Sequence, residues 1–159
     1  MFKKWFKKEE TIVSPLNGAA VAIESVPDPT FAEKMVGDGL AVEPTDGQVV
    51  APVAGKVVQI FPTNHAFGIE TAIGAEILIH IGLETVGMKG ERFTARVKEG
   101  DTVKPGDVII EFDLSLVKEK AAHTVTPIVV TNADQFAIEK QPIGDVVAGK
   151  TPLFTLISR

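Results

Sequence analysis

Short apolar runs recur along the chain from Thr11 onward and alternate with proline, glycine and aspartate at short intervals. Runs of this length that are rich in valine and isoleucine predict β-strands, and the breakers between them predict tight turns. The clearest runs cover residues 49–50, 56–60, 75–81, 108–112, 128–130 and 153–157. Only residues 114–122 and 134–140 have a composition that predicts a helical turn or two. The pattern therefore predicts an all-β fold, an antiparallel β-sandwich or barrel with one or two short helical turns.

An internal repeat sharpens this prediction. Residues 14–23 align with residues 51–60 through a shared order of small residue, proline, aliphatic, any, glycine, any, apolar, valine, any and isoleucine. Self-similarity of this kind indicates a duplicated β unit. Residues 97–109 also contain Gly-Asp and Pro-Gly turns similar to those of biotinyl and lipoyl carrier domains. We therefore expect a sandwich built from duplicated hybrid (barrel-sandwich) motifs.

Composition excludes several classes of function. With 159 residues, 45% hydrophobic and 23% charged, the chain has the make-up of a globular protein of one domain. It contains no cysteine, which excludes disulfides, thiolate metal sites and cysteine nucleophiles. No apolar run approaches the roughly 20 residues of a membrane span. No apolar stretch follows the basic N-terminal residues, so we expect no signal peptide and a cytoplasmic protein. The formal charge of −5 argues against nucleic acid and favours a basic partner.

The N-terminal tail, residues 1–10, differs from the single domain expected over residues 11–159. Phe2, Trp5 and Phe6 fall at helical spacing among four lysines, a pattern typical of a short helix at a membrane surface. So short a helix is marginal in water, and a solvated tail is the alternative to weak membrane contact by residues 1–8. A start at Met1 and an end at Arg159 favour a free protein over an excised domain.

Two histidines stand among apolar residues. His80 lies inside the apolar run 77–83, and His65 lies fifteen residues earlier. An aliphatic side chain would fill a strand core without a polar atom to satisfy, so an imidazole there calls for an explanation. Two strands joined by a loop around residues 73–76 would bring the two rings side by side on one sheet face.

Each ring has a neighbour that could orient it. The carbonyl of Gly82 could hold one nitrogen of His80, and the hydroxyl of Thr63 could reach His65 from the same strand face. One ring could then accept a phosphoryl group while the other stabilises its oxygens. Two hydrogen-bonded core histidines, or a zinc pair lacking its other ligands, remain open as alternatives. His123, near a predicted helix end, is expected to be a surface or capping residue.

Several motifs together resemble the glucose-family enzyme IIA of the bacterial phosphoenolpyruvate:sugar phosphotransferase system. The similarity covers residues 11–157, in the order that the family shows. The segments that carry it are residues 26–28, 31–39, 63–67, 80–86, 106–114 and 126–130.

The resemblance implies a role for each matching position. His80 matches the phosphorylated histidine, His65 its stabilising neighbour, Thr63 the hydroxyl that orients His65, and the carbonyl of Gly82 the acceptor that fixes His80. The phosphoryl group would come from the histidine-containing phosphocarrier protein (HPr) and leave to a cysteine on the IIB domain of a glucose-type permease. No cofactor is required, although a zinc ion at the His65/His80 pair is an alternative. The implied activity is that of a phosphotransferase component with a phosphohistidine intermediate.

A partner-binding face is expected around the histidines. A relay that binds two partners briefly needs an apolar patch with a charged rim. Asp28 and Glu84 match acidic rim positions, with glutamate standing where the family has aspartate, and Leu78 stands where some relatives carry phenylalanine. The apolar patch is predicted to comprise Phe31, Met35, Val36, Phe61, Phe67, Leu78 and Val86.

Two other classes compete with a phosphocarrier. A biotinyl or lipoyl carrier would use Lys89, which follows Met88 in a partial echo of the modified-lysine motif. A zinc hydrolase on a related sandwich would need a His-x-His pair and a general-base glutamate at a motif spacing, and the sequence has neither.

Overall fold

The strand-forming runs fold into fourteen strands and two short helices across residues 8–159, the part of the chain that the computed structural model describes. The tail helix predicted from Phe2, Trp5 and Phe6 lies outside the described residues. The strands are β1 (Glu9–Val13), β2 (Gly18–Ala22), β3 (Asp38–Pro44), β4 (Gln48–Val50), β5 (Gly55–Ile60), β6 (Ala66–Thr71), β7 (Glu76–His80), β8 (Phe93–Ala95), β9 (Thr102–Val103), β10 (Val108–Phe112), β11 (Thr126–Val130), β12 (Phe136–Lys140), β13 (Gly144–Val146) and β14 (Pro152–Ser158). The helices are α1 (Pro29–Ala32) and α2 (Leu114–Lys120). The prediction of an all-β fold with short helical turns is confirmed.

One of the two helical predictions is wrong. Residues 114–122 do contain α2, but residues 134–140 form only the end of a 3-10 turn (Ala133–Gln135) followed by strand β12. Strand β12 pairs antiparallel with β14, and its first side chain, Phe136, is buried in the core. Pairing and burial therefore override the helix-compatible local composition.

Helix α1 was not predicted, although its start carries a standard signal. Asp28 caps the helix by accepting a hydrogen bond from the backbone N–H of Thr30 at 3.0 Å, and Pro29 occupies the first helical position. The helix has only four residues, too few for a periodic apolar stripe to reveal it.

The strands form three antiparallel sheets with a symmetrical order. The largest sheet has eight strands in the order β13-β2-β3-β11-β7-β6-β5-β9, and the two smaller sheets have the orders β1-β14-β12 and β4-β10-β8. Strands β2 and β5, which contain the two copies of the sequence repeat, lie at equivalent places on either side of the centre. The order and the repeat together show that the sandwich consists of two duplicated halves.

Backbone hydrogen bonds join the two copies of the repeat reciprocally. The N–H of Val13 donates to the carbonyl of Pro52 at 2.9 Å, and the N–H of Val50 donates to the carbonyl of Pro15 at 2.9 Å. Val13 corresponds to Val50, and Pro15 to Pro52, at the spacing that aligns the two repeats, so the two bonds are equivalent. The two halves are therefore related by an approximate twofold symmetry, and each half supplies a hydrogen-bond donor and an acceptor to the other.

Strand β7 separates the main core from a smaller apolar cluster. Successive strand residues point to opposite faces, so Ile77 and Ile79 enter the main core while Leu78 and His80 lie on the outer face of the eight-stranded sheet. Helix α1 covers part of that outer face through a second cluster beside the histidine. The buried members of this cluster are Ile23, Val26, Phe31, Ala41, Leu83, Val125 and Val129.

Within the described residues 8–159, no helix is long and apolar enough to cross a membrane.

The repeat glycine at position 55 provides a test of the fold. An added Cβ would lie 2.4 Å from the carbonyl oxygen of Glu70 on the neighbouring strand, a contact that only movement of the backbone could relieve. We expect Gly55→Ala to lower the free energy of unfolding by about 2 kcal/mol, as overpacking does. Gly87→Ala is the matched control, because an added Cβ there meets nothing within 4 Å. Urea unfolding of both variants measures the difference, and equal stabilities would contradict the register given for β5 and β6.

Candidate functional site

His80 ends strand β7 on the outer face of the large sheet. Across the ladder it lies opposite Ala66, a residue small enough to leave space above the sheet. The ring of Phe31 from helix α1 packs against it with a centroid distance of 5.3 Å. The imidazole is therefore walled on one side by the helix, and it remains partly exposed.

His65 comes from the turn that leads into β6. Its carbonyl accepts a hydrogen bond from the N–H of Ile81 at 2.7 Å, which extends the β6–β7 ladder by one step and aligns it with His80. The two ring centroids lie 4.9 Å apart with an interplanar angle of 77°. Phe61 packs edge-on against His65, whose residue is only 4% exposed. The structure thus brings the two predicted histidines together.

A hydrogen bond to Gly82 orients His80. Nδ1 of His80 lies 2.8 Å from the Gly82 carbonyl oxygen. A carbonyl can only accept, so Nδ1 carries the proton and Nε2 presents a lone pair. The strand ends at His80 and the backbone turns back at Gly82, whose φ of +68° suits glycine.

Thr63 contacts His65 as predicted, but the two residues lie in a turn and not on one face of a strand. The Thr63 hydroxyl contacts Nδ1 of His65. The expectation that both residues share a strand face is wrong, because residues 61–65 form a turn and β6 begins at Ala66. Asn64 between them has a φ of +59°, so the turn, rather than strand alternation, brings the two side chains together.

Burial keeps both imidazoles neutral near pH 7. It lowers the pKa of His65 to about 4, and the neighbouring His80 adds to this shift. The pKa of His80 is also lowered, mainly by burial, against the opposing effects of the Gly82 hydrogen bond and the Asp28 carboxylate. A neutral ring can act as a nucleophile or as a neutral hydrogen-bond donor, whereas a protonated ring has no lone pair with which to attack.

The histidines open into a depression of about 430 Å³. It is lined by Asp28, Thr30, Phe31, Val36, Phe61, His65, Leu78, His80, Glu84, Thr85 and Val86. Most of the predicted partner-binding residues are therefore brought together, with Val86 60% exposed at the edge. Thr30 and Thr85 line the same depression but were not predicted, although Thr85 lies within segment 80–86, which carries the family resemblance.

Two predicted members of the patch lie elsewhere. Phe67 is fully buried, because alternation along β6 turns it with Ile69 toward the main core, so its assignment to the partner face is wrong. Met35 is 72% exposed but borders a neighbouring depression beyond Val36. His123, as expected, is exposed at the surface, and only its backbone is used, in a bridge to Leu83.

The pair of rings offers two free nitrogens at most to a metal. Both Nδ1 atoms are already hydrogen-bonded, to Gly82 and to Thr63. Among the side chains of residues 8–159, no group of three or more histidines, aspartates and glutamates could hold a metal ion. The residues present therefore do not form a resident zinc site, which needs three or four protein ligands.

The family model described as phosphoenolpyruvate-dependent sugar phosphotransferase system, EIIA 1, matches residues 10–136. The chain is 61% identical to the "PTS system glucose-specific EIIA component" of Halalkalibacterium halodurans, over 98% of each chain. It is also 50% identical to the "PTS system N-acetylglucosamine-specific EIICBA component" of Klebsiella pneumoniae, and the match covers 94% of this chain but 23% of that protein.

The fold has a solved counterpart. The glucose permease IIA from Mycoplasma capricolum superposes with a TM-score of 0.89 at 38% sequence identity, over 94% of this chain and 97% of that one. The sequence match and the structural match agree over nearly the whole length. The chain therefore belongs to the EIIA 1 family of the phosphoenolpyruvate-dependent sugar phosphotransferase system.

Proposed function

We propose that the chain accepts a phosphoryl group from phospho-HPr on Nε2 of His80 and passes it to the cysteine of the IIB domain of a glucose-type permease. The observation that supports this most directly is the pair of neutral, contacting imidazoles, one with its lone pair directed to an open depression. The relay supports sugar uptake with phosphorylation, and both partners that it needs meet it in the cytoplasm.

Each transfer is an exchange of one bond to phosphorus. The lone pair of His80 Nε2 attacks the phosphorus, the bond to the HPr histidine breaks, and its electron pair returns to the donor ring. In the second transfer a thiolate sulfur attacks the phosphorus, the bond between phosphorus and Nε2 breaks, and its electron pair returns to the ring of His80. The proton on Nδ1 stays hydrogen-bonded to Gly82 throughout, so no proton has to move at His80.

His65 stabilises the phosphoryl group. With the Thr63 hydroxyl donating to Nδ1, the proton of the neutral ring resides on Nε2, from where it can donate to a phosphoryl oxygen. This donor is fixed by burial and by a second hydrogen bond, so it needs little reorganisation when charge develops on the phosphoryl oxygens. Preorganised donors of this kind accelerate transfer because they stabilise the transition state.

The depression is the docking face for both partners. Its apolar walls, Phe31, Phe61 and Leu78, offer the contact area of a transient interface, and the carboxylates of Asp28 and Glu84 stand at its rim. Acidic groups there attract a basic partner surface and speed encounter at low salt.

A zinc ion at the His65/His80 pair would need further ligands from a partner, and no step of the proposed transfer uses a metal. The carrier-domain alternative rested on Lys89, which lies exposed at the end of a 3-10 turn. The family membership supports the phosphocarrier function and neither alternative.

The roles of the two rings can be separated by substitution. In a relay reconstituted from phosphoenolpyruvate, enzyme I and HPr, we expect His80→Gln to carry no acid-labile phosphate. His65→Gln should still be phosphorylated but should pass the group to IIB roughly 10²-fold more slowly, because it loses a preorganised donor. His123→Gln is the control, since that ring lies outside the pair. Phosphohistidine on the His80→Gln variant would falsify the assignment.

The acidic rim is expected to steer HPr. Glu84→Lys should slow phosphorylation by HPr about tenfold at low salt and much less at 0.5 M salt (about a 4 Å Debye length), where the charges are screened. Asp145→Lys makes the same change in charge on edge strand β13, four strands and about 19 Å from β7. Stopped-flow rates at several salt concentrations compare the two variants. Equal slowing of Glu84→Lys at every concentration would show that Glu84 does not steer.

The buried histidines should make stability depend on pH. The pKa of His65 is about 4, against about 6.5 for an unfolded chain, so between these values the unfolded state binds a proton that the folded state does not. The free energy of unfolding should therefore fall as the pH is lowered from 7 to 4, by up to roughly 3 kcal/mol from this residue. His65→Gln should remove that contribution and His123→Gln should keep it. Urea unfolding across the range measures both, and identical pH profiles would contradict the shift.

A further inference from the structure

The three residues after β7 have every backbone polar group paired. Residues 81–83 connect His80 to the 3-10 turn Thr85–Met88 and are buried. Four of their six groups bond to backbone or to the imidazole of His80: the N–H groups of Ile81 and Leu83, and the carbonyls of Gly82 and Leu83. The remaining two, the carbonyl of Ile81 and the N–H of Gly82, belong to a single peptide unit.

That peptide unit is held at both ends by threonine hydroxyls. Thr85 Oγ1 donates to the carbonyl of Ile81 at 2.7 Å, and the N–H of Gly82 donates to Thr126 Oγ1 at 3.4 Å. Thr126 Oγ1 in turn donates to the carbonyl of Thr124 at 3.0 Å. Both Thr85 and Thr126 are fully buried, where valine would fill the same volume without a polar atom. Their hydroxyls therefore serve the backbone of this segment.

The held peptide determines where the Gly82 carbonyl points. The threonine bonds fix the Ile81–Gly82 peptide and so the position of Gly82. The Gly82 carbonyl belongs to the next peptide, whose N–H, that of Leu83, donates to the His123 carbonyl at 2.9 Å. Together these bonds direct the Gly82 carbonyl toward Nδ1 of His80. Thr85 also closes the space beside Gly82, since an added Cβ at Gly82 would lie 2.8 Å from its methyl carbon.

We propose that Thr85 and Thr126 are positioning residues for His80. Their hydroxyls hold the Gly82 carbonyl against Nδ1, which keeps the proton on that nitrogen and leaves the lone pair on Nε2. Loss of either hydroxyl removes one of the two bonds that hold the Ile81–Gly82 peptide. Gly82 can then shift, its carbonyl moves away from Nδ1, and the other tautomer of His80, with the proton on Nε2, becomes populated. The effect on transfer rests on the proposed function, whereas the effect on the tautomer can be observed without any phosphoryl group.

The test measures the tautomer and the transfer separately. ¹⁵N NMR shifts of the His80 ring at pH 8 should report one Nδ1–H tautomer in the parent protein and a mixture in Thr85→Val. Phosphorylation of Thr85→Val by phospho-HPr should slow roughly tenfold, the effect seen at metal sites when a hydrogen bond that orients a ligating histidine is lost. Thr126→Val should show a smaller change of both quantities, because its bond to Gly82 is longer. Thr85→Ser, which keeps the hydroxyl, should restore both.

Thr71→Val is the matched control. Thr71 is also buried, and its hydroxyl accepts the N–H of Ala75 at 3.2 Å in the turn at the other end of β7. Its loss should reduce stability without changing the tautomer of His80 or the rate of phosphorylation by phospho-HPr.

A single Nδ1–H tautomer in both folded valine variants would overturn the proposal. If Thr85→Val does not fold, Thr126→Val carries the same test. Failure of the proposed function looks different, because the tautomers would shift as expected while HPr failed to phosphorylate even the parent protein.

Discussion

The alternation of side chains along β7 is the constraint on which both the core and the site depend. Ile77 and Ile79 enter the main core, and the residues between and after them, Leu78 and His80, must face outward. A slip of one residue would bury His80 and expose Ile79, so burial of the isoleucines fixes the register of the histidine. The free energy that stabilises the sandwich therefore also positions His80, the proposed phosphoryl acceptor.

The duplicated scaffold carries one histidine pair because the corresponding strands of the two halves carry different side chains on their outer face. Ile79 pairs with Ile128 on the central ladder between the halves. His80 lies opposite the small residue Ala66 in one half, as Val129 lies opposite Gly39 in the other. Val129 packs under α1 in the small cluster, next to the depression that holds the histidines. One copy of this position thus packs beside the site, and the other copy holds His80, the proposed phosphoryl acceptor.

The sequence predicted those features that depend on local pattern. The strands, the repeat, the meeting of His65 with His80 and the carbonyl of Gly82 all follow from periodicity or short spacing. Two errors concern tertiary context: β12 forms because β14 pairs with it, and Phe67 is buried because its face of β6 packs on the main core. The contact between Thr126 and Gly82 joins residues 44 positions apart, so no local signal could have revealed it.

A phosphocarrier has to reconcile two opposed demands on its histidines. The nucleophile must be neutral and fixed, which favours burial, and it must be reached by two proteins in succession, which favours exposure. Here the demands are divided between the two ends of each ring. The Nδ1 ends are held by Gly82 and Thr63 at the sheet, while the depression opens above the pair. The Gly82 carbonyl sets the tautomer of His80, and burial keeps both rings neutral near pH 7. In the proposed relay a partner therefore has only to supply or remove the phosphoryl group, and its dissociation leaves the site ready for the other partner.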